Sequence, residues 1–226
     1  METAYIASAA RTAIGAFNKG FATVSAPELG VIAVQESLSR SGLSAEQVDE
    51  LVLGQVLAAG SGQNPARQTG INAGIPSERS AYTINQVCGS GLRSVALAAQ
   101  SVALGDARVV VAGGQENMSL SPHCAHLRAG VKMGNGQMVD TMLVDGLIDA
   151  FGGMHMGITA ENVARKWGIS RQQQDEFALA SQQKAAAAIA DGRFVEEIVP
   201  VTVKSRRGDR VVDQDEFPRE TSLEQL

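Results

Sequence analysis

The sequence predicts an α/β protein in which a mainly parallel sheet is covered by helices on both faces. Short β-rich runs alternate with helical patterns through residue 114, and this order is typical of three-layer α/β domains. The 226 residues are 44% hydrophobic and 19% charged, as in globular rather than disordered chains. Order and composition together predict one large domain, or one domain with an appendage.

The elements of the first half follow from hydrophobic periodicity and from residues that begin or end helices. Asn64 followed by Pro65 marks the start of one helix, and Gly42 and Gly105 mark the ends of two others. In chain order, the pattern predicts a strand over 4–11, a helix over 26–42, a strand over 50–56, a helix over 64–74, a strand over 81–87, a helix over 89–105 and a strand over 107–114.

The regular pattern changes after residue 114. Residues 115–158 show few regular periods, and an irregular stretch of this length indicates a functional loop or a small subdomain. Helices follow over 159–168 and 170–192, and residues 197–216 predict a hairpin. We therefore expect two domains, a core over residues 1–114 and a second over residues 115–226.

Charge and the start of the chain exclude several classes of protein. A net charge of −5 and a pI near 5.3 argue against a nucleic-acid partner, which requires clustered Lys and Arg. The first 17 residues lack the basic start and apolar core of a signal peptide, and no apolar run approaches the roughly 18 residues of a membrane-spanning helix. We expect a cytoplasmic protein, with no membrane partner, whose two cysteines, Cys88 and Cys124, are reduced.

Cys88 is the first candidate for chemistry, because it stands where a predicted strand turns into a predicted helix. Unpaired N–H groups and the positive end of the helix dipole at such a position favour a thiolate, and can lower a thiol pKa from about 8.5 to roughly 3.5–7.5. Gly89 and Gly91 leave room for a substrate to approach the backbone, and the Cys88 N–H can donate to an oxyanion. The pattern is equally compatible with an inert, buried cysteine.

Six segments of the sequence match the segments of one known family. These segments are "RTAIGAF" (11–17), "GQNPARQ" (62–68), "NQVCGSGLRSVALAAQ" (85–100), "VVAGGQENMS" (110–119), "MHMGITAENVA" (154–164) and "SRQQQDEFALASQQKAAAAI" (170–189). They resemble the thiolase family, and more closely its acetyl-CoA acetyltransferases, and they occur in the family's order and cover nearly the whole chain.

The resemblance implies a thiolase-type layered fold, with one αβα half followed by an incomplete α/β loop domain. It also implies that Cys88 takes an acetyl group from acetyl-CoA, and that the acyl-enzyme condenses with the enolate of a second acetyl-CoA to give acetoacetyl-CoA. Thiolysis is the reverse path. Backbone support for the oxyanion is expected from Cys88 and Gly89. Coenzyme A thioesters are the substrates, and no cofactor is implied.

The resemblance also implies residues that contact the acyl chain and coenzyme A. His155 corresponds to a pocket residue near the pantetheine end, although its local pattern also fits an ordinary loop histidine. Met156 lines the acyl pocket, where a methionine is typical of the short-chain enzymes. Leu147 and Arg219 correspond to positions that contact coenzyme A. Met133, Met154 and Met156 could also cover the site against water, but core packing is the simpler interpretation.

Two further clusters have simpler interpretations than a ligand site. The basic cluster formed by Lys204, Arg206, Arg207 and Arg210 could meet the phosphates of coenzyme A, but a solvated hairpin tip explains it better. "HCAH" at 123–126 offers only three nearby candidates for zinc, whereas a structural zinc site takes four ligands. We predict no metal site.

The resemblance also implies what this chain lacks. The family's second half supplies a catalytic histidine, a second cysteine and an asparagine, and no counterparts of them occur here. We therefore expect an amino-terminal half with an uncovered sheet edge and an uncovered apolar helix face. A homodimer or tetramer with a carboxy-terminal companion segment is one expectation, and an inactive fragment is another. A broad-chain 3-ketoacyl-CoA thiolase and, more remotely, a cysteine hydrolase are further alternatives.

Overall fold

Three parallel strands form the central sheet of the computed structural model, which describes residues 2–206 and 208–226. They are β2 (Glu50–Gly54), β3 (Ser80–Ile84) and β4 (Val110–Gly114), in the order β3-β2-β4. Leu51 and Val52 of β2 are fully buried, because parallel strands are covered on both faces. The predicted parallel α/β architecture is confirmed.

The three helices predicted in the first half are present, and the signals at Gly42, Asn64 and Gly105 mark the ends that were predicted from them. Helix α1 (Ala26–Ser41) begins with a capping box and ends at Gly42, which adopts φ +70°. Helix α2 (Pro65–Asn72) begins at Asn64, whose side chain accepts from the Arg67 N–H, and α3 (Ser90–Leu104) ends at Gly105. The main core lies between α1, α2 and the sheet, and is formed by Val34, Leu38, Val48, Leu51, Leu53, Ala66, Ala73 and Ile75.

The strand predicted over residues 4–11 is wrong except at its end. Only β1 (Arg11–Thr12) is paired, in parallel with β7 (Ile198–Val199). Tyr5 and Ile6 are 87% and 82% exposed. The apolar alternation of this segment resembles a strand, but a strand requires a neighbouring backbone with which to form hydrogen bonds.

The remainder of the chain contains short pairings and two long helices. In chain order these are β5 (His123–Cys124), β6 (Val139–Asp140), α4 (Met156–Trp167), α5 (Arg171–Ala190), β8 (Val201–Val203) and β9 (Arg210–Val212). Strands β8 and β9 form the predicted hairpin, and a second core packs them against Phe21 and Leu29. The division into domains at residue 114 stays a prediction.

Helix α3 also bears on the membrane expectation. Within residues 2–206 and 208–226, Val87–Leu104 is the one segment long and apolar enough to cross a membrane by length and composition, contrary to the expectation that no such run exists. Only 17% of this segment is buried. A single helix of this kind is weak support for a membrane protein, since helices of soluble proteins meet the same criterion. One side of α3 packs on the sheet, since its buried Ser94 donates to the carbonyl of Gly113.

Asp215 connects the hairpin to the N-terminal loop, and we expect Asp215→Asn to lower the free energy of unfolding by about 1.5 kcal/mol at pH 7. Its carboxylate accepts from two Arg11 nitrogens, at 2.7 and 3.0 Å, and from the Ile14 N–H at 2.7 Å. The hydrogen bond from Arg11 holds the pKa of Asp215 below its ordinary value of 3.8, although burial opposes this. The stabilisation is therefore complete above about pH 5 and is lost as the pH falls below 3.8.

Urea unfolding of the wild type and of Asp215→Asn at pH 7 and pH 3 tests this prediction. The difference between the two proteins should shrink at pH 3. Asp213→Asn, a change at an exposed neighbour, serves as the control. An equal loss at both pH values would contradict the role of the ionised carboxylate.

Candidate active site

Cys88 lies in the turn between β3 and α3, at the carboxyl end of the parallel sheet. It is a free cysteine and is exposed, so the alternative of a buried cysteine is wrong. Gly89 follows it and precedes the first residue of α3. In open α/β sheets, ligands bind outside the carboxyl ends of the strands. The structure therefore presents the thiol where such proteins hold their ligands.

The residue before the cysteine has an unusual backbone conformation. Val87 adopts φ +49°, the left-handed region that a β-branched residue rarely occupies. A conformation of this kind costs about 1–3 kcal/mol and persists only where surrounding contacts hold it. The Val87 N–H donates to Asn85 Oδ1 at 2.9 Å. The chain therefore bends sharply just ahead of Cys88.

Ser90 provides the other contacts of this turn. Its Oγ accepts from the Gln86 N–H at 2.8 Å and donates to the Val87 carbonyl at 2.6 Å. The Ser90 N–H donates to the same carbonyl at 3.1 Å. Ser90 is 4% exposed, whereas Cys88 is exposed. One buried hydroxyl thus joins two residues that precede the cysteine to the first turn of α3.

Glycines allow the start of α3 to lie directly on the ends of the strands. A Cβ on Gly54, the last residue of β2, would lie 2.5 Å from Ser90 Cβ and 2.6 Å from the Ser90 carbonyl carbon. A Cβ on Gly114, at the end of β4, would lie 3.4 Å from Gly91 Cα. A side chain at Gly54 would displace the helix start, and with it the turn that carries Cys88, whereas a Cβ at Gly114 would be in ordinary contact.

The two residues assigned to the oxyanion differ in their backbone contacts. The Gly89 N–H already donates to the Gln86 carbonyl at 3.1 Å. That N–H is therefore engaged within the turn, and the assignment of Gly89 to the oxyanion stays a prediction. The assignment of an oxyanion donor at Cys88 stays a prediction.

A buried polar network lies beside the strand ends, and the sequence analysis missed it. Gln115 Nε2 donates to Gln55 Oε1 at 3.0 Å, and Thr69 Oγ1 donates to Gln115 Oε1 at 2.6 Å. Glu116 accepts from the N–H of Val56 at 2.7 Å, and burial raises the pKa of its carboxyl group. The signal was available, since the polar residues "QEN" follow directly after the strand predicted over 107–114. The network fixes the segment that leaves β2.

The structure brings together three of the predicted acyl and coenzyme A contacts. His155 caps α4, and its Nδ1 accepts from the Gly157 N–H at 3.0 Å. This cap explains why α4 begins at Met156, earlier than the predicted residue 159. An antiparallel bridge between Ile148 and His155 places Leu147 beside this cap. Both His155 and Met156 are exposed.

The cationic residues predicted to meet coenzyme A contact α5 or lie in the hairpin, and none of the contacts found for them involves the start of α4. Arg219 is exposed, and its N–H donates to Gln182 Oε1 of α5 at 2.9 Å. In the hairpin, Lys204 pairs with Asp209 at 2.5 Å and Arg210 pairs with Glu216 at 3.3 Å. These pairings within one hairpin favour a solvated tip over a phosphate site. Arg207 of the same cluster lies outside the described residues.

Residues 2–206 and 208–226 hold no metal-binding cluster, and the cleft beside α5 is not lined by Cys88. Across the described part of the chain, no group of three or more His, Cys, Asp or Glu side chains is arranged to hold a metal ion. A cleft of about 230 Å³ lies beside the end of α5, lined by Phe194, Ile198, Asp213 and Asp215 among others. Cys88, His155 and Met156 do not line this cleft. The acyl pocket expected from the resemblance therefore stays a prediction.

These features define a layered α/β protein with an exposed cysteine between a parallel strand and a helix. The chain belongs to the thiolase family, whose model, described as the thiolase N-terminal domain, matches residues 4–226. It is 63% identical to the acetyl-CoA acetyltransferase of Rhizobium meliloti (strain 1021) over 95% of this chain, and 54% identical to "Acetyl-CoA acetyltransferase, cytosolic" of Rattus norvegicus over 96%.

A solved structure agrees with the family assignment. The crystal structure of the Bacillus anthracis acetyl-CoA acetyltransferase superposes with a TM-score of 0.95 at 38% identity, over 99% of this chain and 57% of that chain. This similarity confirms the thiolase-type fold. The present chain spans 54% and 55% of the lengths of the two relatives, so it corresponds to about half of each.

Proposed function

We propose that this chain is the nucleophile-bearing part of an acetyl-CoA C-acetyltransferase. The observation that carries the proposal is the exposed Cys88 on a strained turn at the carboxyl end of the sheet, in a chain whose relatives bear that name. A cysteine suits acyl exchange, because its thiolate is strongly nucleophilic and a thioester keeps the acyl group activated.

The reaction has two steps in this proposal. The Cys88 thiolate attacks the thioester carbonyl of acetyl-CoA, a sulfur–carbon bond forms, and the thiolate of coenzyme A leaves. The enolate of a second acetyl-CoA then attacks the acetyl-enzyme, which gives acetoacetyl-CoA and releases the Cys88 thiolate. The Cys88 N–H stabilises the developing oxyanion in the first step. Thiolysis of acetoacetyl-CoA follows the same path in reverse.

The remaining site residues are proposed to bind the substrate. His155, Met156 and Leu147 would contact the acyl and pantetheine portion, since the bridge between Ile148 and His155 brings Leu147 close to the start of α4. Arg219 would meet the nucleotide end of coenzyme A as an exposed cation. The methionine at 156 would limit the acyl chain to short lengths.

A companion segment completes the active site in this proposal. Helix α3 exposes an apolar face, with Leu92 79% and Leu104 71% exposed, and half of the length of the relatives lies beyond this chain. That remaining length, as a second segment or chain, would cover α3 and supply the base that the condensation requires. Assembly as a homodimer or tetramer and a cytoplasmic location are parts of the same proposal.

Mass spectrometry of the chain after incubation with acetyl-CoA tests the first step. We expect one acetyl group, confined to the peptide that contains Cys88. Octanoyl-CoA run in parallel distinguishes a short-chain enzyme from a broad-chain thiolase, which would acylate Cys88 with both. A folded chain that takes no acyl group from either would be an inactive fragment.

A further inference from the structure

The hydroxyl of Ser90 lies in an unusual place for a residue with no role in a reaction. It is buried beneath the exposed turn, against Gly54. Its two hydrogen bonds reach backbone groups on either side of the peptide bond between Gln86 and Val87. Its acceptor lone pair takes the N–H of Gln86, and its proton goes to the carbonyl of Val87. These two contacts satisfy the buried hydroxyl and connect it to the residues just before Cys88.

The contacts of Ser90 oppose relaxation of the strained backbone at Val87. A β-branched residue at φ +49° is strained, and a strained conformation relaxes unless its surroundings determine it. The Val87 carbonyl accepts from both the Oγ and the N–H of Ser90, and its amide donates to Asn85 Oδ1. Without the Ser90 hydroxyl, two contacts remain on an exposed turn where water competes for them.

We propose that Ser90 is a positioning residue, whose hydroxyl holds Val87 in the left-handed conformation and thereby directs Cys88 at the thioester. This proposal depends on the proposed function only where its test measures the rate of acetyl transfer. Rotation of Val87 to a negative φ would turn the Cys88 backbone, and reacting atoms displaced by about 1 Å can lose roughly 100-fold in rate. The close approach of Gly54 also holds the hydroxyl in position, because it leaves no space for Ser90 to move toward the sheet.

The test compares Ser90→Ala with two double variants, all made in the 226-residue chain. In Ser90→Ala, we expect acetylation of Cys88 by saturating acetyl-CoA to slow by about tenfold or more, with the half-saturating concentration unchanged. Adding Val87→Asn should restore most of the rate, since asparagine adopts positive φ readily. Adding Val87→Thr should not, because threonine is β-branched like valine. Because Val87→Asn also relieves backbone strain, the rates are compared under conditions in which urea unfolding shows every variant to be fully folded.

Amide hydrogen exchange provides a readout that does not depend on acetyl transfer. The Gln86 and Gly89 amides should exchange about tenfold faster in Ser90→Ala. Gly89 exchange should recover with Val87→Asn but not with Val87→Thr. Ser94→Ala removes another buried hydroxyl of α3 and serves as a matched control that leaves both amides unchanged. If wild-type Cys88 takes no acetyl group, the proposed function fails, and the exchange pattern still decides the role of Ser90.

Two outcomes would overturn the inference. One is wild-type exchange at Gln86 and Gly89 in Ser90→Ala together with wild-type acetylation. The other is equal recovery of Gly89 exchange by Val87→Thr and Val87→Asn, which would show that the conformation of Val87 is not what the hydroxyl controls.

Discussion

Cys88→Ser is expected to lower the rate of acetyl transfer from acetyl-CoA to the chain by roughly three orders of magnitude or more. Serine has nearly the same shape, but its hydroxyl is a weak nucleophile without an adjacent base. Because Cys88 is exposed, the substitution should leave the free energy of unfolding within about 0.5 kcal/mol of the wild type. Transfer is measured as coenzyme A released in a single turnover.

Cys124→Ser is the matched control, since it removes the other thiol from a short strand in a different part of the fold. We expect it to retain the wild-type rate. Acetyl transfer that persists in Cys88→Ser and disappears in Cys124→Ser would refute the assignment of the nucleophile. Transfer that persists in both would indicate acetylation at scattered sites.

Gly54→Val is expected to destabilise the chain by about 3 kcal/mol or more. The Cβ of any side chain there would lie 2.5–2.8 Å from the Ser90 Cβ, the Ser90 carbonyl carbon and the Gly91 nitrogen. Two of these atoms belong to the backbone, which cannot rotate away, so the start of α3 must shift. Overpacking of this kind costs about 1–3 kcal/mol even where side chains can adjust. Urea unfolding measures the loss.

Gly136→Val provides the comparison for Gly54→Val. A Cβ at Gly136 would have open space around it, so we expect a change below about 0.5 kcal/mol. Gly54→Ala should fall between the two, because it brings the same first carbon without the branches. If both valine variants unfold at the same urea concentration, the position of α3 does not depend on its close approach to Gly54.

Much of the first half could be predicted from the sequence, because its signals are local. Gly42 ends α1, and Asn64 begins α2 through a hydrogen bond to an N–H three residues away. The apolar run of β2 indicates a strand buried on both faces, and Leu51 is fully buried. The position of Cys88 also followed locally, since a strand, two glycines and a helix surround it.

The errors have a common physical cause. Residues 4–10 have the composition of a strand, but pairing depends on a distant neighbour that composition does not specify. The early start of α4 depends on the ring of His155, which is an uncommon cap. The conformation of Val87 could not be predicted, because propensities argue against a positive φ for valine and only the contacts of Asn85 and Ser90 override them.

The exposure of Cys88 also has a consequence for the handling of the protein in air. An accessible thiol is the kind that oxidises first, to a sulfenic acid or to a disulfide with another thiol, and these forms can be reversed while the sulfonic acid cannot. A preparation stored without reductant would lose the proposed nucleophile while its helices and sheet remained intact. The fraction of reactive thiol, rather than the amount of folded protein, is therefore the quantity to measure before any test of acetyl transfer.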